Sequence, residues 1–228
     1  LVYNMALRLA LIDYWNMTLR NVDAEMVLAY ANALRLLPAY LQQLLLESNG
    51  KQVAPDGSRA PAPSIVGHWG GEGTIGQHSY HQWLHQGSSH VAAEFVIAAT
   101  PGSEPKGTSA LIAHALAQAE VLANGYKLED INENEPDIDP AIANQKVIPG
   151  GKPSMIFACR DFGPEALGAL IALYEHRVFL GGVLWGVNSF DQWGVERGKV
   201  QAGRILEALG GSEAASDPVT RDMVDYFR

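Results

Sequence analysis

A chain of 228 residues with 47% hydrophobic and 18% charged side chains is too apolar to be disordered, and it is long enough for one sizeable α/β domain or a domain with an extra helical arm. Its formal net charge of -9 repels nucleic acid and anionic lipid, so neither is an expected partner, and an anionic small molecule would need Lys, Arg or helix N-termini to reverse the sign locally. The single cysteine, Cys159, excludes an internal disulfide, fits a reducing cytoplasm, and lies in an apolar strand-like stretch that reads as core.

The opening Leu1-Val2-Tyr3-Asn4 lacks the basic segment of a signal peptide, and no apolar run reads as approaching the ~20 residues that cross a bilayer. Apolar from the outset and without an initial Met, the chain reads as starting inside a larger polypeptide. Residues 5–15 predict a largely buried helix, Asp23 caps a helix through Leu37, and Pro38 restarts a second helix that stops at Asn49-Gly50. Residues 1–50 are thus expected as a helical segment leading into a domain over 51–228. Residues 52–64 are rich in Pro, Ala, Gly and Ser and read as an exposed loop.

From there strands over 64–69, 91–99, 153–159 and 182–185 alternate with helices over 77–86, 108–124, 163–178 and 195–209. Residues 126–152 read as short helices with loops, and Asp217 opens a last helix. This alternation predicts a doubly wound α/β fold, a parallel sheet flanked by helices in three layers.

Four stretches carry chemistry. Residues 71–76 fit GxGxxG between a strand and a helix, but the next strand does not end in a ribose-binding carboxylate, so a tight turn is the better account than a nucleotide site. His78, His81 and His85 share a helical spacing and a predicted face. Zinc would want a further ligand, for which Glu72 is the close candidate; acid–base work by one histidine, the others packed or hydrogen-bonded, is preferred. Glu47 reads either as a desolvated base on an apolar helix turn or as a surface carboxylate paired with Lys51. Residues 189–199 combine aromatics, an amide and charges beside glycines; by composition they read as a helix with solvated charges.

Taken together, these stretches resemble the glucose-6-phosphate isomerase family. Residues 42–51 match Gln-Gln-x-x-x-Glu-Ser-Asn-Gly-Lys, and residues 73–87 match Gly-Thr-x-Gly-Gln-His-x-x-x-Gln-x-x-His-Gln-Gly. Residues 167–176 match Leu-Gly-Ala-Leu-Ile-Ala-Leu-Tyr-Glu-His, and residues 188–199 match Asn-Ser-Phe-Asp-Gln-Trp-Gly-Val-Glu-x-Gly-Lys. The family's Asp-Met before the glutamate is Leu45-Leu46 here, and its Glu-Pro in the glycine turn is Gly71-Glu72.

The resemblance covers nearly the whole chain and implies the carboxy-terminal portion of such an enzyme, with a sugar-isomerase (SIS) type sheet. It implies interconversion of glucose 6-phosphate and fructose 6-phosphate through a cis-enediol, in the cytoplasm, with no metal or organic cofactor. Glu47 matches the family's proton shuttle, His78 and Lys199 the residues that help open the sugar ring, and Gln43 and Gln192 the contacts to the sugar phosphate. The histidine reaches the neighbouring subunit's site in that family, which implies a homodimer. The family's phosphate loop and Gly-Gly-Arg arginine lie in its amino-terminal half and have no match here. A non-catalytic sugar-phosphate-binding or dimerisation module is the alternative expectation.

Overall fold

The computed structural model describes residues 3–61, 64–99, 104–211 and 217–228, so the opening Leu1-Val2 and residues 62–63 of the predicted loop lie outside the described residues. The elements run α1 (Met5–Thr18), β1 (Ala24–Tyr30), α2 (Leu37–Asn49), β2 (Gly67–Glu72), α3 (Gly73–Gly76), α4 (His81–Gln86), β3 (Val91–Ala98) and α5 (Pro105–Asn124). They continue as α6 (Leu128–Asn134), α7 (Pro140–Lys146), β4 (Ser154–Cys159), α8 (Pro164–Trp185), α9 (Trp193–Leu209) and α10 (Pro218–Phe227). Two compact units result, Leu1–Ser189 and Phe190–Arg228. The first holds a four-stranded, all-parallel sheet in the order β2-β1-β3-β4. The second holds α9 against α10, which Asp217 caps by accepting from the Thr220 N–H at 2.8 Å.

The doubly wound α/β expectation holds, but its central strand falls where a helix was predicted. Residues 24–30 are β1, not part of a helix from Asp23. The reason is burial on both sides. Val27 and Ala29 face one core with Leu41 and Leu45 of α2 and Val178 of α8, whereas Met26, Leu28 and Tyr30 face a second core with Leu84 of α4 and Ala115, Ala119 and Leu122 of α5. A strand buried on both faces is a continuous apolar run, and its periodicity does not separate it from a buried helix. Asp23 is not a helix cap: its carboxylate accepts from the His90 N–H at 3.0 Å and its own N–H donates to the His90 carbonyl at 2.7 Å, which fixes the start of β1 beside β3.

Two further expectations change. Residues 77–86 are not one helix; α3 closes after one turn, residues 77–80 form turns, and only 81–86 are helical. Residues 182–185 are no strand but the last turn of α8, which stops at the left-handed Gly186. At 22 residues α8 is long and apolar enough, by length and composition, to cross a membrane, contrary to the sequence reading. It also carries Glu165, Glu175, His176 and the buried Arg177, and it packs on α1 and α2.

Arg177 explains how these layers lock. Its Nε donates to Asp13 Oδ2 of α1 at 2.6 Å, its NH2 also reaches Asp13 and lies 3.1 Å from Glu25 Oε1 of β1, and its NH1 pairs with Glu94 Oε1 of β3. Tyr174, one turn earlier on α8, donates to Glu94 Oε2 at 2.8 Å, and His68 Nδ1 of β2 lies 3.7 Å from Glu25 Oε2. Asp13, Glu25, His68, Glu94 and Arg177 are each no more than 2% exposed. One guanidinium faces three carboxylates, so desolvation outweighs the attraction. Burial pushes the Asp13 and Glu94 carboxyls up from their ordinary range, although Arg177 pulls them down.

Removing the guanidinium while keeping its volume, as in Arg177→Met, leaves buried carboxylates uncompensated and is expected to destabilise the fold by about 3–5 kcal/mol. That is a large share of the roughly 5–15 kcal/mol that holds a domain together, so thermal unfolding should shift markedly or folding should fail. The raised carboxyls also set a sign with pH. A native state that keeps protons the unfolded chain releases is favoured below the ordinary aspartate value of 3.8, and this contribution is lost as pH rises through the folded value. Wild-type stability relative to Asp13→Asn should therefore decline as urea unfolding is repeated from about pH 4 upward; a difference independent of pH contradicts the assignment.

Candidate functional site

Helix α2 owes its position to Leu37, Leu41 and Leu45, which recur at helical spacing and bury against the sheet and α8. The opposite face is left for Gln43 and Glu47, one turn apart. Gln43 is exposed, Glu47 is half-buried, and Gln43 Nε2 donates to Glu47 Oε2 at 3.3 Å. Lys51, the alternative partner for Glu47, directs its Nζ to the Ser48 carbonyl at 2.7 Å and to the Asn188 carbonyl.

The glycine turn after β2 serves close packing. A Cβ at Gly73 would fall 2.2 Å from the Tyr30 ring, and one at Gly76 would fall 2.4 Å from the Tyr80 hydroxyl. The histidines beyond this turn separate into different roles. His81 Nδ1 and His85 Nε2 lie 3.0 and 2.6 Å from the single oxygen Gln118 Oε1 of α5. An amide oxygen only accepts, so both rings donate to it. Burial also holds the His81 imidazole below its ordinary pKa. His81 and His85 are thus engaged in holding α4 to α5, whereas His78 is exposed in the turn between α3 and α4, its N–H donating to the Ile75 carbonyl at 3.1 Å.

The topology separates Glu47 from His78. In a parallel sheet the connecting helices run against the strands, so α2 returns Glu47 toward the amino-terminal edge, whereas His78 follows the carboxyl end of β2. Contacts agree: Asn49, two residues after Glu47, bonds to the Val178 carbonyl inside the second half of α8, while Gln77 Nε2, beside His78, reaches the Tyr30 hydroxyl at the end of β1 at 3.5 Å. Gln192 and Lys199 belong to the second unit, where Gln192 precedes α9 and Lys199 lies in its second turn; both are exposed.

Among the described residues, one group of potential metal ligands converges, Asp13, Glu25 and Glu94, with one oxygen of each within 4.8 Å of the others. Arg177 already contacts all three carboxylates, so its guanidinium supplies the positive charge at that point. Two residue groups went unrecognised in the sequence. The charge cluster draws on four separate segments and leaves no local pattern. Asn49 lies inside a matched motif, but its burial at 1% exposure was not legible there.

The phosphoglucose isomerase family model matches residues 1–224. Among curated relatives, the glucose-6-phosphate isomerase of Corynebacterium jeikeium is 41% identical over 99% of this chain, and that of Xanthomonas oryzae pv. oryzae is 42% identical over 99%. A crystal structure of a glucose-6-phosphate isomerase from Chlamydia trachomatis superposes with a TM-score of 0.81 at 31% identity, covering 98% of this chain and 41% of the other. The chain spans 41–42% of the length of the two curated relatives. A family model matched over almost every residue, together with a four-stranded parallel sheet that superposes on a solved member, places this chain in the phosphoglucose isomerase family.

Proposed function

We propose that this chain is the catalytic carboxy-terminal portion of a cytoplasmic glucose-6-phosphate isomerase, interconverting glucose 6-phosphate and fructose 6-phosphate. The observation that carries the reading is the pairing of Gln43 and Glu47 on one face of α2, within a chain whose family is that of aldose–ketose isomerases. A sugar C–H is a weak acid. Its base must be held in place, and the half-buried Glu47 at the end of a helix anchored by Leu41 and Leu45 meets that need.

In this reading Glu47 removes a proton from C2 and returns it to C1 through a cis-enediol. His78 and Lys199 move protons at the ring oxygen and O1 during ring opening, a step suited to the imidazole range near neutrality. Gln43 and Gln192 contact the sugar phosphate. The placement of Glu47 and His78 toward opposite ends of the strands supports assigning His78 to the site of a second subunit in a homodimer. The reading assigns the phosphate anchor to the part of the longer relatives that this chain does not cover.

Glu47→Gln, made in a polypeptide completed to the length of the relatives, is expected to lower kcat by at least about 100-fold while leaving the affinity for a phosphorylated sugar acid within about twofold. Retained turnover removes Glu47 from the role of base. Unchanged binding with lost turnover separates this reading from a non-catalytic sugar-phosphate-binding module, which has no turnover to lose.

A further inference from the structure

The end of α2 that carries Glu47 is held by a buried polar clamp, and we propose that Asn49 is the positioning residue for that carboxylate. Asn49 is 1% exposed. Its Nδ2 donates to the Val178 carbonyl of α8 at 2.8 Å, and its Oδ1 accepts from the Ser189 hydroxyl at 2.6 Å. Both polar atoms of the amide are thus used, one as donor and one as acceptor, so the side chain has one orientation.

The Val178 carbonyl lies mid-helix, where it already serves the α8 ladder; the bond from Asn49 is an added tie between α2 and α8. The neighbouring glycine makes the approach possible. A Cβ at Gly182 would fall 2.1 Å from Ser189 Oγ and 3.1 Å from Asn49 Oδ1, so any larger residue drives the clamp apart. Beside it, Lys51 Nζ donates to the Ser48 and Asn188 carbonyls and fastens the same two segments once more.

The helix itself does not need these bonds to close. Gly50 N–H already caps it on the Leu46 carbonyl at 2.9 Å, and Leu41 and Leu45 bury its body. What the clamp adds is a fixed rotation and reach for the last turn, residues 46–49, relative to α8. Glu47 lies in that turn. The clamp also ties down Ser189, the last residue of the first unit. A proton shuttle needs this fixity more than stability does, because a misplacement of about 1 Å can reduce a rate about 100-fold.

The assignment of Asn49 rests on the reading of Glu47 as the base, and two measurements separate them. Hydrogen exchange is measured on the purified chain, wild type against Asn49→Asp and the milder Ser189→Ala. Asn49→Asp keeps the shape but sets a carboxylate against the Val178 carbonyl; Ser189→Ala removes one bond only. Amides of residues 46–51 are expected to exchange at least about tenfold faster in Asn49→Asp, and by a smaller factor in Ser189→Ala, with β1 and β3 protection unchanged. Turnover is then compared in the completed polypeptide, where kcat should fall by about 10- to 100-fold with KM within about twofold. Unchanged exchange at 46–51 in both variants overturns the clamp, whatever the turnover. Faster exchange with kcat intact overturns the positioning role. Faster exchange in a completed protein whose wild type has no isomerase turnover keeps the clamp and overturns the isomerase reading instead.

Discussion

One guanidinium holds the first unit in register. Arg177 of α8 reaches α1 through Asp13, β1 through Glu25 and β3 through Glu94, so a helix on the face of the sheet is tied to two strands and to the helix that covers it. Such a cluster adds little net stability compared with apolar residues of equal volume, since the desolvation of each charge offsets the attraction. What it specifies is arrangement: the glutamates at positions 25 and 94 must project to the α8 side, and a one-residue slip of either strand would turn its glutamate into the opposite core, away from Arg177.

With α8 fixed, the rest of the site follows in order. Val178, the residue after Arg177, packs on Leu41 and Leu45 of α2 through its side chain and accepts from Asn49 through its carbonyl. The same helix turn therefore joins the charge cluster, the apolar core and the clamp on the turn bearing Glu47. The opposite core does a separate job. There His81, His85 and Gln118 join α4 to α5 and leave His78 outside, exposed beyond the carboxyl end of β2. In the proposed mechanism a rigid interior serves two half-sites that face different subunits.

Much of this was legible in the residues, and the failures have physical causes. The alternating pattern after residue 64 identified the parallel sheet, and Asp217 capped α10 as expected. β1 was misread because both its faces are buried, so Met26 to Tyr30 show none of the polar alternation that marks a half-exposed strand. The last turn of α8 was misread because Gly181-Gly182 interrupts an apolar run, and glycine weakens a helical signal; here the small residues admit Asn49 and Ser189. The histidine spacing suggested one shared face, yet residues 77–80 turn before α4 begins, and only His81 and His85 remain on one helix. Glu47, His78 and Lys199 are singled out by motif resemblance alone, because no local pattern distinguishes a base from a surface carboxylate.

The central claim is a division of labour: the proton-transfer residues lie in this chain, and the phosphate anchor lies outside it. The most direct measurement is a coupled assay of fructose 6-phosphate to glucose 6-phosphate conversion by the purified chain, beside the same chain fused to the part of the Xanthomonas oryzae relative that it does not cover. The account predicts turnover by the fusion and none above background by the folded chain alone. Ordinary enzymatic turnover by the chain alone would contradict it by placing a complete phosphate site within these 228 residues.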